Sequence, residues 1–347
     1  MKILFAAPFS GIRTSIFISS YYRALARVAS TRGIDTRLVD TRELITQGSI
    51  PHAIRRLYVP LSPVIERFQL LSFTEFGLRR RLQHAISEYR PDILFCHAIS
   101  AQSMDEVVRY AQRLGCRVVM WLGLSPAVVK SGILRLLRSL DCLFIYDAAY
   151  IPICRSIGCR RVELVPLGVD VDHIDAVPVD ATASRLVDIS FIGMIDRERY
   201  ELLSSLAELD LGVWSWNYSE QEHSMIISCY RGEASGDETI RILRSSAISL
   251  NAHRAFEVSG GNYRLFEIPA CCTLQLVDNK PDIARYFSIG DEVVVYTGPD
   301  DLKRKCRYYL EHPDDRTAII QNARRRVLRD HTVQNRFSLM LDIMRSL

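Results

Sequence analysis

No apolar run in this 347-residue chain approaches the ~20 residues that a membrane-spanning helix needs. Its first residues, Met1-Lys-Ile-Leu-Phe-Ala-Ala-Pro8, lack the long apolar core of a secretory signal and read as a first strand. The nine cysteines include no Cys-x-x-Cys pair, and their odd number and irregular spacing argue against a disulfide framework or a zinc site. Reduced, mostly buried thiols in a cytoplasmic protein are expected instead. A Gly-x-Ser-x-Gly elbow and a P-loop lysine motif are both missing, which removes the common serine-hydrolase and NTPase signatures. Short-period repeats and low-complexity tracts are absent too, and no aromatic-rich basic motif points to nucleic acid as a partner.

What is present is an ordinary globular composition, 48% apolar and 24% charged, on a length that suggests two domains. The net charge of +4 is unevenly spread. Residues 1–168 carry 23 basic and 12 acidic side chains, an excess of +11, and the remainder carries 21 and 28, an excess of −7. The first half would suit a phosphorylated, anionic or membrane-surface acceptor. The densest cluster described by the spacing, Arg79-Arg80-Arg81, reads more simply as a solvated helix face.

Apolar runs and helical stretches alternate along both halves. Strands are predicted at 2–6, 37–39, 91–97, 117–122 and 142–146, and again at 187–192, 210–214, 247–251, 273–277 and 293–296, with helices between. Strands separated by helices imply parallel, doubly wound α/β sheets. The turn-rich stretch from Pro166 to Ala183 separates the halves. The domains expected are therefore 1–168, a linker at 169–186, 187–330, and a terminal amphipathic helix at 331–347.

The densest chemistry lies at Ser259-Gly-Gly-Asn-Tyr-Arg-Leu-Phe-Glu267, followed by the apolar run Leu274–Val277. That order describes a loop, a helix N-terminus and a buried strand. A helix N-terminus offers free N–H groups and a partial positive charge, so Gly261 and Asn262 would start a phosphate site. Arg264 in the first turn adds a fork of donors, and Glu267, three residues on and on the same face, would accept from a ribose.

These residues resemble the donor-binding motif of group 1 glycosyltransferases, in particular those similar to the spore-maturation protein CgeB. Asp188-Ile-Ser-Phe-Ile-Gly193 with Arg197, and Leu250-Asn-Ala-His-Arg254, extend the resemblance, as do Pro281-Asp-Ile283, Gly290-Asp-Glu292 and His331-Thr332. It covers about residues 140–340. It implies the GT-B architecture, two Rossmann-like domains facing a cleft with a terminal helix crossing back to the first. It further implies a metal-independent, retaining hexosyl- or deoxyhexosyltransferase using a nucleotide-diphosphate sugar as co-substrate and no other cofactor. Arg264, with Arg254 or Arg197, would neutralise the leaving diphosphate, Asn251 and His253 would reach the sugar or phosphates, and Gly193 would lie beside them. Apart from the resemblance, Tyr230 and Trp216 are aromatic side chains suited either to lining the base or to packing in the core.

Two departures stand out. The glutamate usual eight residues before Glu267 is Ser259 here, with Glu257 the nearest upstream acid, and the glycine usual after Ala-Cys is Cys272. Pro269 should shorten or kink the helix. In the first half, His97 ends a strand and is the acid/base or sugar-contact candidate, while Ser10, Gly11 and Asp147 follow strands on the acceptor side. Asp170-Val-Asp172 imitates a metal-binding Asp-x-Asp, but it follows Pro-Leu-Gly and no further acidic or histidine cluster frames it. Two competing readings are a sugar-nucleotide 2-epimerase of the same fold and a non-catalytic protein that binds nucleotides or an anionic surface, including the inner membrane surface.

Overall fold

A computed structural model describes residues 1–7, 16–41, 72–97, 101–122, 131–178 and 185–347. Ser10 and Gly11 lie outside the described residues. The chain divides into two units, one of Met1–Tyr146, Tyr150–Val165 and Phe337–Leu347, the other of Asp147–Ala149 and Pro166–Arg336.

The first unit runs β1 (Lys2–Ala7), α1 (Ile16–Thr31), β2 (Asp35–Asp40), α2 (Ser72–Tyr89), β3 (Ile93–His97), α3 (Ala101–Arg113), β4 (Arg117–Leu122), α4 (Ser131–Ser139), β5 (Cys142–Ile145), α5 (Ile151–Ser156) and β6 (Val162–Leu164). Its six strands form one parallel sheet in the order β2-β1-β3-β4-β5-β6. The middle strands read as unbroken apolar runs because helices cover both faces of a parallel sheet, and β3 and β5 are buried throughout. The edge strand β6, only three residues long, carries too little pattern to be read from sequence. On α2, Arg79 pairs with Glu106 and Arg81 donates to the Asp40 carbonyl, so the triple arginine is more than a solvated face.

The second unit continues with α6 (Val171–Ala176), β7 (Val187–Ile192), α7 (Arg197–Ser204), β8 (Leu211–Trp214), β9 (Tyr230–Gly232), α8 (Asp237–Arg244), β10 (Ser246–Asn251), α9 (Tyr263–Ala270), β11 (Leu274–Asp278), α10 (Ile283–Tyr286), β12 (Val294–Tyr296), α11 (Pro299–Glu311), α12 (Pro313–Asp330) and α13 (Val333–Arg345). Its sheet is also parallel and six-stranded, in the order β12-β11-β10-β7-β8-β9. The strand order reverses between β7 and β10.

The segment expected to be a weakly structured linker contains α6, with Asp170 as its N-cap. Gly168 is required by close approach: a Cβ there would lie 2.7 Å from both Arg336 Cγ and the Thr332 carbonyl oxygen. From Phe337 onward α13 belongs to the first unit. Phe337, Met340, Leu341 and Met344 are buried there, and Arg161 Nη1 donates to Ser346 Oγ at 2.8 Å. The terminal helix thus returns to the first unit. All nine cysteines are free thiols, and only Cys272 is exposed. Among the described residues, no helix is long and apolar enough to cross a membrane.

Two local features carry measurable consequences. His331 is packed against Phe266 and Phe287, with ring centroids 4.9 and 5.1 Å away. Arg336 Nη2, which can only donate, lies 2.8 Å from its Nδ1, so Nε2 carries the proton and donates to the Tyr286 carbonyl at 2.9 Å. Burial first, then the Arg336 charge, pushes the imidazole down to about 4. The unfolded chain takes up this proton near pH 6.5, which the folded chain refuses until about pH 4. Stability should therefore fall across that window by about 3 kcal/mol, and His331→Gln should flatten this limb of a denaturation-versus-pH curve. The second feature is Cys272, which follows α9 with φ +58°, a left-handed conformation that favours glycine. Cys272→Gly should raise the unfolding free energy by roughly 0.5–1 kcal/mol in denaturant titrations.

Candidate functional site

In open α/β sheets, ligands sit beyond the carboxyl ends of the strands where the strand order reverses. In the second unit that point lies beyond β7 and β10, and it collects most of the residues singled out from sequence. β7 ends in Ile192 and leads into Gly193. β10 ends in Asn251, followed by His253 and Arg254. The loop Ser259-Gly260-Gly261 then delivers α9, and both glycines have positive φ, +95° and +85°.

A buried carboxamide network fixes the start of α9 on the strand ends. Asn262 is the N-cap, accepting from the Leu265 N–H at 3.0 Å. Asn251 and Asn262 exchange hydrogen bonds, Nδ2 to Oδ1, at 3.1 and 2.9 Å. Asn251 Nδ2 also donates to Gln275 Oε1 at 3.0 Å, and Gln275 Nε2 donates to the Leu265 carbonyl at 3.1 Å. That carbonyl is the one orphaned by Pro269, which has no N–H to offer the residue four places earlier. Gln275 thereby lets the proline stay inside the helix. Asn251 and Asn262, placed by sequence among donor contacts, have their facing amide groups occupied by one another.

The charged groups are equally interlocked. Arg264 pairs with Glu267 across one turn, and its Nε reaches the Ile192 carbonyl at 3.4 Å. Burial lowers the Arg264 guanidinium to about 10. Glu257 caps the Arg254 N–H at 2.8 Å. Arg254 lies over the Phe256 ring at 4.9 Å, with its Nε 4.0 Å from the Asp196 carboxylate. Ser259, standing where a glutamate is usual, accepts from the Ala149 N–H at 2.9 Å, and its own N–H donates to Asp147 at 3.2 Å. Asp147 is fully buried and belongs to the second unit. Its carboxylate organises the glycine loop.

Arg197 is on the solvent side of α7, 91% exposed, and bonded to Glu201 at 3.1 Å. The buried arginine of that helix is Arg199. Its guanidinium donates to the Ala252 carbonyl through Nε at 3.0 Å and to the Met194 carbonyl through Nη1 at 3.0 Å, tying the loops after β7 and β10 together. Sequence reasoning missed it, although a signal exists: Arg199, Leu202 and Leu203 share the buried spacing of one helical face.

Gly193 is half-buried, its N–H bonded to the Trp214 carbonyl at 3.0 Å. Tyr230 stacks on Tyr218 with centroids 3.9 Å apart and donates to the Ser215 carbonyl at 3.2 Å, whereas Trp216 is exposed. His253 is buried against Asp278, Nδ1 to Oδ1 at 2.6 Å. In the first unit, His97 ends β3 at the corresponding reversal of strand order, with Tyr22 edge-on at 5.6 Å. Asp170 Oδ1 accepts from the His173 N–H, as a helix cap does.

The family model for glycosyl transferase-like proteins matches residues 197–342. The spore protein CgeB of Bacillus subtilis (strain 168) is 22% identical over 220 residues, with 57% of this chain and 66% of that protein covered. Among solved structures, a glycosyltransferase from Rickettsia africae ESF-5 superposes with a TM-score of 0.69 at 12% identity, covering 99% of this chain and 98% of that one. Anabaena Alr3699/HepE in complex with UDP-glucose gives 0.67 at 12% identity, with both chains fully covered. Sucrose-phosphate synthase from Thermosynechococcus elongatus gives 0.65 at 12% identity, covering 100% of this chain and 98% of its own. The pair of parallel sheets is thus the α/β fold of these GT-B chains.

Gln275→Ala removes the donor that the Leu265 carbonyl needs. It should cost about 1–3 kcal/mol of stability in denaturant titrations. Pro269→Ala restores the missing N–H, so the double variant should recover part of that loss.

Proposed function

We propose that this chain, a group 1 glycosyltransferase of the CgeB-like kind, moves a sugar from a nucleotide-diphosphate sugar to an acceptor hydroxyl. The observation that carries the proposal is the assembly at the second unit's strand reversal: a helix N-terminus, two left-handed glycines and three arginines, Arg199, Arg254 and Arg264, around one point. The first N–H groups of α9 have no intrahelical partner by geometry. They and Arg264 would take the diphosphate. The incoming ligand would part Arg264 from Glu267, freeing the guanidinium for phosphate and the carboxylate for the ribose hydroxyls.

Catalysis then rests on charge stabilisation as the diphosphate departs, supplied by Arg264 and Arg254 with amide dipoles, which is why no metal is required by the proposal. Arg199 positions the loops without touching the ligand. His97 is the proposed acid/base or sugar contact of the first unit, whose basic excess would suit an anionic or membrane-surface acceptor. Retention at the anomeric carbon and a hexosyl or deoxyhexosyl donor follow from the group 1 resemblance. Arg197, pointing to solvent, is dropped from the donor set.

A thermal-shift panel of UDP, GDP, dTDP and CMP tests the site. Ligand at about a hundred times Kd should add roughly 2.7 kcal/mol of stability. One diphosphate should stabilise the protein, and Arg264→Ala or Glu267→Ala should abolish most of the shift. If both variants respond like the parent, the diphosphate lies elsewhere.

A further inference from the structure

The side chain of His253 is fully buried, yet only one of its nitrogens is engaged. Asp278 Oδ1 receives both the His253 backbone N–H, at 2.9 Å, and Nδ1, at 2.6 Å. The carboxylate can only accept here, so Nδ1 carries a proton. Among the described residues, Nε2 has no hydrogen-bond partner. A buried polar atom left this way is costly, and it calls for an explanation. The explanation lies in what it faces. A Cβ built on Gly260 would fall 3.6 Å from Nε2, so the imidazole looks onto the glycine loop where the diphosphate is proposed to rest.

We infer that Asp278 and His253 form a proton-linked clamp on the diphosphate: Asp278 orients the ring, and Nε2–H donates to a phosphoryl oxygen. This rests on the donor site proposed above and adds to it a positioning residue, Asp278, and a coupled proton. An imidazole protonated only on Nδ1 turns a lone pair toward the loop, which repels an oxyanion. A phosphoryl oxygen arriving there draws one proton from solvent onto Nε2, and the proton returns to solvent when the diphosphate leaves.

Charged groups surround the pair. Burial pushes the Asp278 carboxyl up, but the hydrogen bond and charge of His253 outweigh this and hold it below the ordinary carboxylate range. Lys280 lies 3.8 Å from the other Asp278 oxygen, and Arg199 of α7 and Tyr296 of β12 also interact with Asp278. On α10, Asp282 is paired with Arg285 at 3.5 Å. On the loop carrying His253, Glu257 engages the Arg254 N–H.

The experiment is calorimetric titration of the full chain with whichever of UDP, GDP or dTDP gives the thermal shift. It is run at pH 8.5 in two buffers of different ionisation enthalpy. At that pH the terminal phosphate is ionised. Binding to the parent should take up close to one proton. His253→Gln keeps a donor near the Nε2 position but cannot be protonated; it should bind on the order of tenfold more weakly and take up none. Asp278→Asn keeps the ring's partner and removes the charge; it should move the fall in affinity with rising pH to lower pH. Proton uptake that persists in His253→Gln, or an Asp278→Asn pH profile that overlays the parent's, overturns the clamp while leaving the donor site intact. A parent that binds none of the three diphosphates overturns the donor site and the clamp together.

Discussion

Everything at the strand reversal of the second unit depends on three side-chain amides, those of Asn251, Asn262 and Gln275. They join the end of one strand, the cap of one helix and the start of the next strand in a buried mesh whose facing donors and acceptors are matched. In a low-dielectric interior such a network is strong when complete and costly when broken. It holds the first turn of α9 against the end of β10 and the start of β11. The helix is only eight residues long and contains a proline, so its own backbone could not hold that position.

Around this mesh the charges form a second arrangement. Each arginine is held in place by carbonyls or a carboxylate of a neighbouring segment. Arg199 joins the loops after β7 and β10, Arg254 sits beside Asp196, and Arg264 closes on Glu267. The missing member of the glutamate pair is accounted for in the same way. Ser259 and Glu257 both bond to backbone N–H groups, so the loop is fixed internally, with Asp147 as an additional anchor.

The fold was largely legible because parallel central strands must be apolar on both faces, and runs such as Ile93–Cys96 or Leu274–Val277 leave little choice. Short edge strands β6 and β9 were not, since three residues carry no period. The site was legible as a location, through the glycine pair, the capping asparagine and the strand that follows. It was less so as an arrangement. Arg197 and Arg199 differ by two positions on a helix, which places them on different faces, and one is exposed while the other is buried. Asp147 looks like a strand-end residue of the first half, but its hydrogen bonds run to a loop more than a hundred residues later. Contacts of that sequence distance leave no local trace. Likewise Gln275 reads as one polar residue in an apolar strand until Pro269 is seen to need it.

The way the chain is divided has a consequence for how it is made. The second unit is almost wholly encoded by one continuous stretch, Pro166–Arg336, whereas the first is built from stretches at opposite ends of the sequence. Phe337, Met340, Leu341 and Met344, of the last stretch of this earlier-synthesised half, are buried. During translation that half must wait, with its last apolar layer unfilled, until the whole of the later-synthesised half has left the ribosome. The order of completion is thus the reverse of the order of synthesis.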